Sequence, residues 1–221
     1  MANHPLLQPD ACLRSKLVDH LLERRQLRTH LRQQRRQLTA REQQHASLAI
    51  AHQLRQQPFF LYARHIAIYL AQDGEPSLHA CHHPQASFYL PRLAPLRSGR
   101  LLFVRYDQHT LLEKNRFGID EPRWPSTDRR DQRPAATLDL VLLPLVGFDL
   151  HGGRLGMGGG FYDRTFAFQQ RAYHCPRLIG VAHDCQQVAR LPMASWDIPL
   201  DGVITPSGFY PSKKGSVATS D

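Results

Sequence analysis

The sequence lacks any apolar run approaching the roughly 18 residues a membrane helix needs. Its first ten residues have no basic start followed by an apolar stretch, so no secretory signal is expected. It has no internal repeat. It has only four cysteines, Cys12, Cys81, Cys175 and Cys185, with no CxxC spacing, which argues against a disulfide framework. Reduced thiols in a cytoplasmic protein are the expectation. Lysine is scarce too: 24 of the 28 basic residues are arginine.

The chain has 221 residues, of which 42% are hydrophobic and 21% charged. These are ordinary globular values, and they exclude wholesale disorder, collagen and a coiled coil. The net charge of +9 invites a nucleic-acid reading. The charge is concentrated, however. Between Arg14 and Arg41, nine basic residues face only Asp19 and Glu23, so this segment carries +7 and the rest only about +2.

The leucines at 13, 17, 21, 27, 31 and 38 predict an amphipathic helix over residues 13–38, with arginines on its other faces. Thr39 and Glu42 then form a capping box. A second helix should turn Ala46, Ile50 and Leu54 inward and stop before Pro58. Apolar runs at 65–70, 87–90, 101–104, 138–143, 178–182 and 202–204 read as buried strands. Alternation of strands with helices predicts an α/β fold: one three-layer α/β/α sandwich with a mostly parallel central sheet, spanning 13–211. Residues 1–12 and 212–221 are expected to be loose ends. The Pro-, Asp- and Arg-rich stretch 120–136 is expected to be a long surface loop.

The sharpest local feature is a glycine-rich segment, Arg154-Leu155-Gly156-Met157-Gly158-Gly159-Gly160-Phe161-Tyr162-Asp163, placed after a strand ending at Pro144 and before a helix starting near Gly160. Strand, glycine loop and helix start together suit anion binding, because the backbone can approach phosphate oxygens and its N–H groups supply positive potential. The segment is neither a Walker A loop nor GxGxxG, since Phe161 stands at the third slot. A plain glycine turn at the sheet edge is the bland alternative. The flanking Arg154 and Arg164 and the acid Asp163 weigh against it.

This segment resembles the signature of the 5-formyltetrahydrofolate cyclo-ligase family. The resemblance extends over roughly residues 24–210. It takes in Arg24-Arg25-Gln26-Leu27-Arg28, Leu70 with Asp73-Gly74-Glu75, Tyr89-Leu90-Pro91, Asn115 to Pro122, Ala182 to Gln186 and Trp196 to Leu200. It implies ATP-dependent closure of 5-formyltetrahydrofolate to 5,10-methenyltetrahydrofolate, with ADP and phosphate released and no covalent protein nucleophile. It implies ATP contacts from Arg24, Arg25, Gln26, Leu27 and Arg28 and from the loop Arg154, Leu155, Gly156, Met157, Gly158, Gly159, Gly160, Phe161 and Tyr162. Folate contacts are implied for Leu70, Glu75 and Phe117, and for Met157 to Phe161. Asp163 and Asp197 are implied as Mg²⁺ carboxylates. Eukaryotic members carry lysine where Gly159 stands; bacterial members carry glycine.

The remaining basic residues of the first helix, Arg32, Arg35, Arg36 and Arg41, read as a solvated face. The cluster His79, Cys81, His82 and His83 has no partner pair for a zinc site. His183-Asp184-Cys185 reads as a structural strand end. Two rivals stand beside the cyclo-ligase: a basic-helix nucleic-acid binder, and a sugar-phosphate isomerase or CoA-transferase relative using a glycine loop without ATP. On the cyclo-ligase reading the partners are 5-formyltetrahydrofolate and Mg·ATP, with no nucleic acid and no membrane, and the protein is a monomer.

Overall fold

The fold is built around an eight-stranded sheet, six of whose strands fall on the apolar runs. The computed structural model describes residues 11–95, 98–123, 131–170 and 175–213, with side chains from residue 20 onward. Helices α1 (Ala11–Arg36), α2 (Ala40–Arg55) and α3 (Pro58–Leu61) precede the sheet. Strands β1 (His65–Ala67), β2 (Ser87–Leu93), β3 (Leu101–Tyr106), β4 (Leu112–Lys114), β5 (Asp120–Pro122) and β6 (Gln132–Arg133) follow. Next come β7 (Leu140–Pro144), β8 (Gly147–Phe148), β9 (Arg154–Leu155), α4 (Phe161–Phe166), β10 (Arg177–Val181), β11 (Gly202–Thr205) and β12 (Gly208–Pro211).

Eight strands form one sheet in the order β12-β11-β10-β7-β1-β2-β3-β6. The central run from β11 to β2 is parallel, and the outer pairings are antiparallel. Successive side chains alternate between faces. Ile66, Leu140, Leu142, Ile179, Val181 and Ile204 meet Ile50, Leu54 and Phe60 of α2 and α3 on one side. Ala67, Val141, Leu143, Leu178 and Val203 pack with Phe166 of α4 and Phe148 on the other. This two-sided burial is why the central strands read as near-continuous apolar runs. Ile50 and Leu54 are fully buried, each worth about 2–3 kcal/mol of transfer free energy. The capping box of α2 is present: Glu42 N donates to Thr39 Oγ1 at 3.3 Å, and Thr39 N donates to Glu42 Oε2 at 2.7 Å.

Helix α1 lies on neither face. Leu27 and Leu31 pack with Val146, Leu155 and Leu191 at the end of the sheet. Leu21 and Leu22 are about half exposed, so the expected apolar stripe is not packed at this end of the helix; the side chains of Leu13 and Leu17 lie outside those described. The helix ends at Arg36, leaving Leu38 in the link to α2.

The expected long loop over 120–136 is also corrected. Its start forms β5, paired with β4, and its end holds β6, paired with β3; residues 124–130 lie outside the described residues. Polar bonds hold this hairpin, with Leu93 N and Asn115 Nδ2 both donating to the Glu121 carboxylate at 3.1 Å. An apolar pattern cannot reveal such strands. Of the expected loose ends, residues 1–10 and 214–221 lie outside the described residues. Ser212 and Lys213 are tied down, their N–H groups donating to Asp201 O and Leu150 O. Among the described residues no helix is long and apolar enough to cross a membrane.

Around β1 the chain order reverses: β2 lies on one side and β7 on the other. In open α/β sheets ligands bind beyond the carboxyl ends of strands at such a switch point. The segment after β1 carries Leu70 and Glu75. The segment after β7 leads into the glycine loop, and that after β10 carries His183. The fold thus delivers the candidate residues to one end of the sheet, with α1 lying across it.

Candidate active site

The glycine loop is presented by a small hairpin. Strands β8 and β9 pair antiparallel, and the turn between them is organised by the buried Asp149. Its Oδ1 accepts from His151 N at 2.8 Å and Gly153 N at 2.9 Å, and its Oδ2 accepts from Leu191 N at 2.9 Å. This fixes Arg154 at the base of the loop. Leu155 points into the core and can offer a ligand only its backbone. Two loop residues need glycine for conformational reasons: Gly158 (φ +97°) and Gly160 (φ +63°), the residue that starts α4. A side chain at Gly159 would put its Cβ 2.6 Å from the Phe161 ring. The lysine of the eukaryotic motif could be placed here only if that ring moved.

Helix α4 has only six residues, so its dipole is weaker than the sequence pattern implied, and cationic side chains supply most of the positive potential. Arg28 reaches across from α1, its Nε donating to Gly156 O at 2.8 Å while its guanidinium lies against Gly158. Burial and the charge of neighbouring Arg24 push the Arg28 pKa down from its ordinary value. Arg154 donates through Nη2 to Asp163 Oδ1, yet its Nη1 is buried with no hydrogen-bond partner among the described residues. A buried donor without a partner costs about 1–3 kcal/mol, and this one sits where an anionic oxygen would satisfy it. Arg164 braces the loop instead, donating to Gly99 O and Gly159 O.

The two candidate metal carboxylates are brought together. Asp163 Oδ1 accepts from Ile198 N at 3.2 Å, next to Asp197. Asp197 is paired with the buried Arg24 at 2.5 Å, and its Oδ2 also accepts from Ala194 N at 2.9 Å. Each acid therefore holds an arginine. Asp163 Oδ2 carries no hydrogen bond among the described residues, and Asp197 Oδ1 carries only a long one of 3.3 Å from Arg24. Two carboxylates, each with an oxygen left over, suit a hard cation that completes its shell with phosphate oxygens and water. The described residues contain no cluster of three or more His, Cys, Asp or Glu placed to hold a metal alone.

Of the first-helix candidates, Arg24, Leu27 and Arg28 face the body, whereas Arg25 and Gln26 are exposed on the opposite side. The solvated face expected for Arg32 and Arg35 is corrected, while Arg36 and Arg41 are indeed exposed. Arg32, Arg35 and Arg36 all bond Asp73, and Arg35 is wholly buried.

The folate-side candidates lie on the other flank. Leu70 is partly buried against the core. Glu75 is largely buried, its Oε2 accepting from Gln72 N at 3.1 Å. Burial pushes its carboxyl up to about 7, against the opposing pull of that hydrogen bond and of Arg35. Burial also raises the Tyr69 and Tyr162 phenols, with the nearby Glu75 adding to both. Phe117, at the tip of the β4–β5 hairpin, is 55% exposed and meets the Phe161 ring edge-on at 5.8 Å. With exposed Met157 these rings give the loop an apolar rim. A cavity of about 360 Å³ opens beyond Phe161, between the Arg92 strand and the β4–β5 hairpin.

The sequence assigns Arg35 only a solvated face and Asp73 only a place in the turn before Glu75, whereas the structural role expected for His183 at a strand end is what the structure shows. His183, buried at the end of β10, donates from Nε2 to Gly74 O at 3.0 Å, and burial lowers its pKa. Seven-residue spacing puts Arg35 on the same helix face as Arg28, but the spacing does not show what that face meets. Within the histidine cluster, His83 packs edge-on against Phe60 and bonds Leu61 O, the Cys81 thiol is pushed up to about 12 by burial, and His79 and His82 are exposed.

Known proteins resemble this chain over most of its length. The sequence model of the 5-formyltetrahydrofolate cyclo-ligase family matches residues 21–206. A protein of Escherichia coli K12 named 5-formyltetrahydrofolate cyclo-ligase is 42% identical over 184 residues, covering 81% of this chain and 98% of that relative. One of Haemophilus influenzae with the same name is 39% identical, covering 82% and 97%. The solution structure of Aquifex aeolicus 5,10-methenyltetrahydrofolate synthetase superposes with a TM-score of 0.70 at 26% identity, covering 89% of this chain and 96% of that one.

Proposed function

The chain belongs to the 5-formyltetrahydrofolate cyclo-ligase family, and on that premise we propose that it closes 5-formyltetrahydrofolate to 5,10-methenyltetrahydrofolate using Mg·ATP, with release of ADP and phosphate. The observation that carries the ATP part is the unpartnered Arg154 Nη1, buried beside the glycine loop and the two acids.

The formyl carbon is a poor electrophile because the N5 lone pair delocalises into the carbonyl. Transfer of the γ-phosphoryl group to the formyl oxygen converts that oxygen into a leaving group. N10 then attacks the carbon, the C–O bond breaks, and phosphate departs with the former formyl oxygen; the N10 proton is lost as the ring closes. Phosphoryl transfer asks the protein chiefly for placed positive charge. Arg28 and Arg154, both with guanidinium N–H groups not spent on the protein, supply it. Asp163 and Asp197 would hold the magnesium, which when bound offsets phosphate charge. The ring closure is intramolecular, so orientation supplies much of its acceleration. Glu75 accepts hydrogen bonds from pterin N–H groups, and Phe117 and Phe161 pack on the folate ring system.

The test is direct. Purified protein, Mg·ATP and 5-formyltetrahydrofolate are mixed and the methenyl absorbance is followed. Absorbance that grows only with ATP present supports the reading; no growth under either condition refutes it.

A further inference from the structure

We propose that Arg35 is a positioning residue for the folate substrate: from the inward face of α1 it grips the Asp73–Gly74 turn and so holds the Glu75 carboxyl in place. The proposal rests on reading Glu75 as a folate contact.

The geometry is that of a buried clamp. Arg35 has no exposed surface. Its Nε donates to Asp73 O at 2.9 Å, its Nη2 to Asp73 Oδ2 at 2.8 Å and its Nη1 to Leu145 O at 3.0 Å, with Glu75 Oε1 at 3.8 Å. One side chain therefore ties α1 to the turn after β1 and to the segment leading into the glycine loop. The turn needs holding. Asp73 (φ +53°) is the only non-glycine residue with positive φ among the described residues, and Gly74 (φ +78°) follows it. Such a backbone costs on the order of 1 kcal/mol and persists when its surroundings fix it. Arg32 and Arg36 add bonds to the Asp73 carboxylate from the same helix, and His183 holds Gly74 O from the other side.

Arg24, Arg28 and Arg35 share one face of α1 at intervals of four and seven residues. The first two serve the glycine loop and the acids, and the third serves the Glu75 turn. The two functions are thus separable by substitution along one helix.

The charged and titratable groups facing Glu75 are Arg35 and Arg32 from α1, Asp73 on its own turn, Tyr69 beyond β1 and Tyr162 from α4. His183 faces the turn from the end of β10. A cation favours the carboxylate form, so removing Arg35 lets Glu75 keep its proton to higher pH.

The experiment compares Arg35→Gln, Glu75→Gln and the double variant by steady-state kinetics across pH. Expected for Arg35→Gln is a rise of roughly tenfold in KM for 5-formyltetrahydrofolate, KM for ATP within about twofold, and an acid limb of kcat/KM moved to higher pH. In the Glu75→Gln background the further change in folate KM should be under about twofold. Equal losses for both substrates, or an unmoved pH limb, would mean that Arg35 only stabilises the fold and would overturn the proposal. If Glu75→Gln leaves folate KM unchanged, the proposal falls through its premise, a failure distinct from that of Arg35 itself. Should Arg35→Gln not fold, Asp73→Asn loosens the same turn without changing any residue of α1. It should raise folate KM selectively, and no selective rise overturns the proposal.

Discussion

Arg154 and Asp163 form an ion pair across the glycine loop in which Nη2 meets the carboxylate, while Nη1 is buried without a partner among the described residues. A protein does not ordinarily leave a cationic donor in that state. Arg154→Gln removes the charge and is expected to lower kcat/KM for ATP by about 10²-fold or more, while folate binding measured separately by fluorescence titration is retained. Equal loss of both would assign the residue to the loop's structure.

Asp163 and Asp197 differ in what else they hold. Asp197 is almost fully buried with Arg24, whereas Asp163 is 19% exposed beside Arg154. Asp197→Asn strands a buried guanidinium and should cost about 3 kcal/mol in chemical denaturation. Asp163→Asn strands the equally buried Arg154 and should carry a similar cost, and it should also raise the magnesium concentration for half-maximal rate by roughly tenfold or more. An unchanged magnesium requirement in both variants would reject the metal assignment.

Glu75 makes stability depend on pH. Its folded-state carboxyl is raised to about 7 from an ordinary 4.5, chiefly by burial. Between those values the folded state binds more protons than the unfolded one, so this group's contribution is full below pH 4.5 and is lost as pH rises through 7. Glu75→Gln should therefore stabilise the protein at pH 8 by about 1–3 kcal/mol relative to the parent, with the difference closing near pH 4.5. Urea titrations at the two pH values decide it; a gap that fails to close on acidification contradicts the assignment.

Gly158 lies at φ +97° with its open side toward Arg28. Gly158→Ala should cost about 1–2 kcal/mol through backbone strain and weaken ATP use, because the loop must shift under the Arg28 guanidinium. Wild-type KM for ATP in that variant would show that the loop conformation is not needed for the nucleotide.

Most of the sheet was legible in the sequence, because β1, β7, β10 and β11 are buried on both faces and so are written as apolar runs. The α2 cap was legible because a capping box uses fixed residue types at fixed spacing. The β4–β5 hairpin was not: Glu121 and Asn115 hold it by polar bonds, which leave no periodic trace. Nor was the burial of Arg35. On a helix with arginine on every side, nothing local distinguishes the arginine that meets Asp73 and Leu145 O from those that meet water. Only the fold, by bringing the turn after β1 under α1, makes that choice. The charge of +9 is accordingly less free than it reads, since Arg24, Arg28, Arg32 and Arg35 are all bonded within the protein.

Transfer of phosphate to the formyl oxygen is tested most directly by isotope. 5-Formyltetrahydrofolate carrying ¹⁸O in the formyl group is turned over with Mg·ATP, and the released phosphate is analysed by mass spectrometry. One ¹⁸O atom per phosphate is the predicted result. Unlabelled phosphate, with methenyltetrahydrofolate still formed, would contradict it.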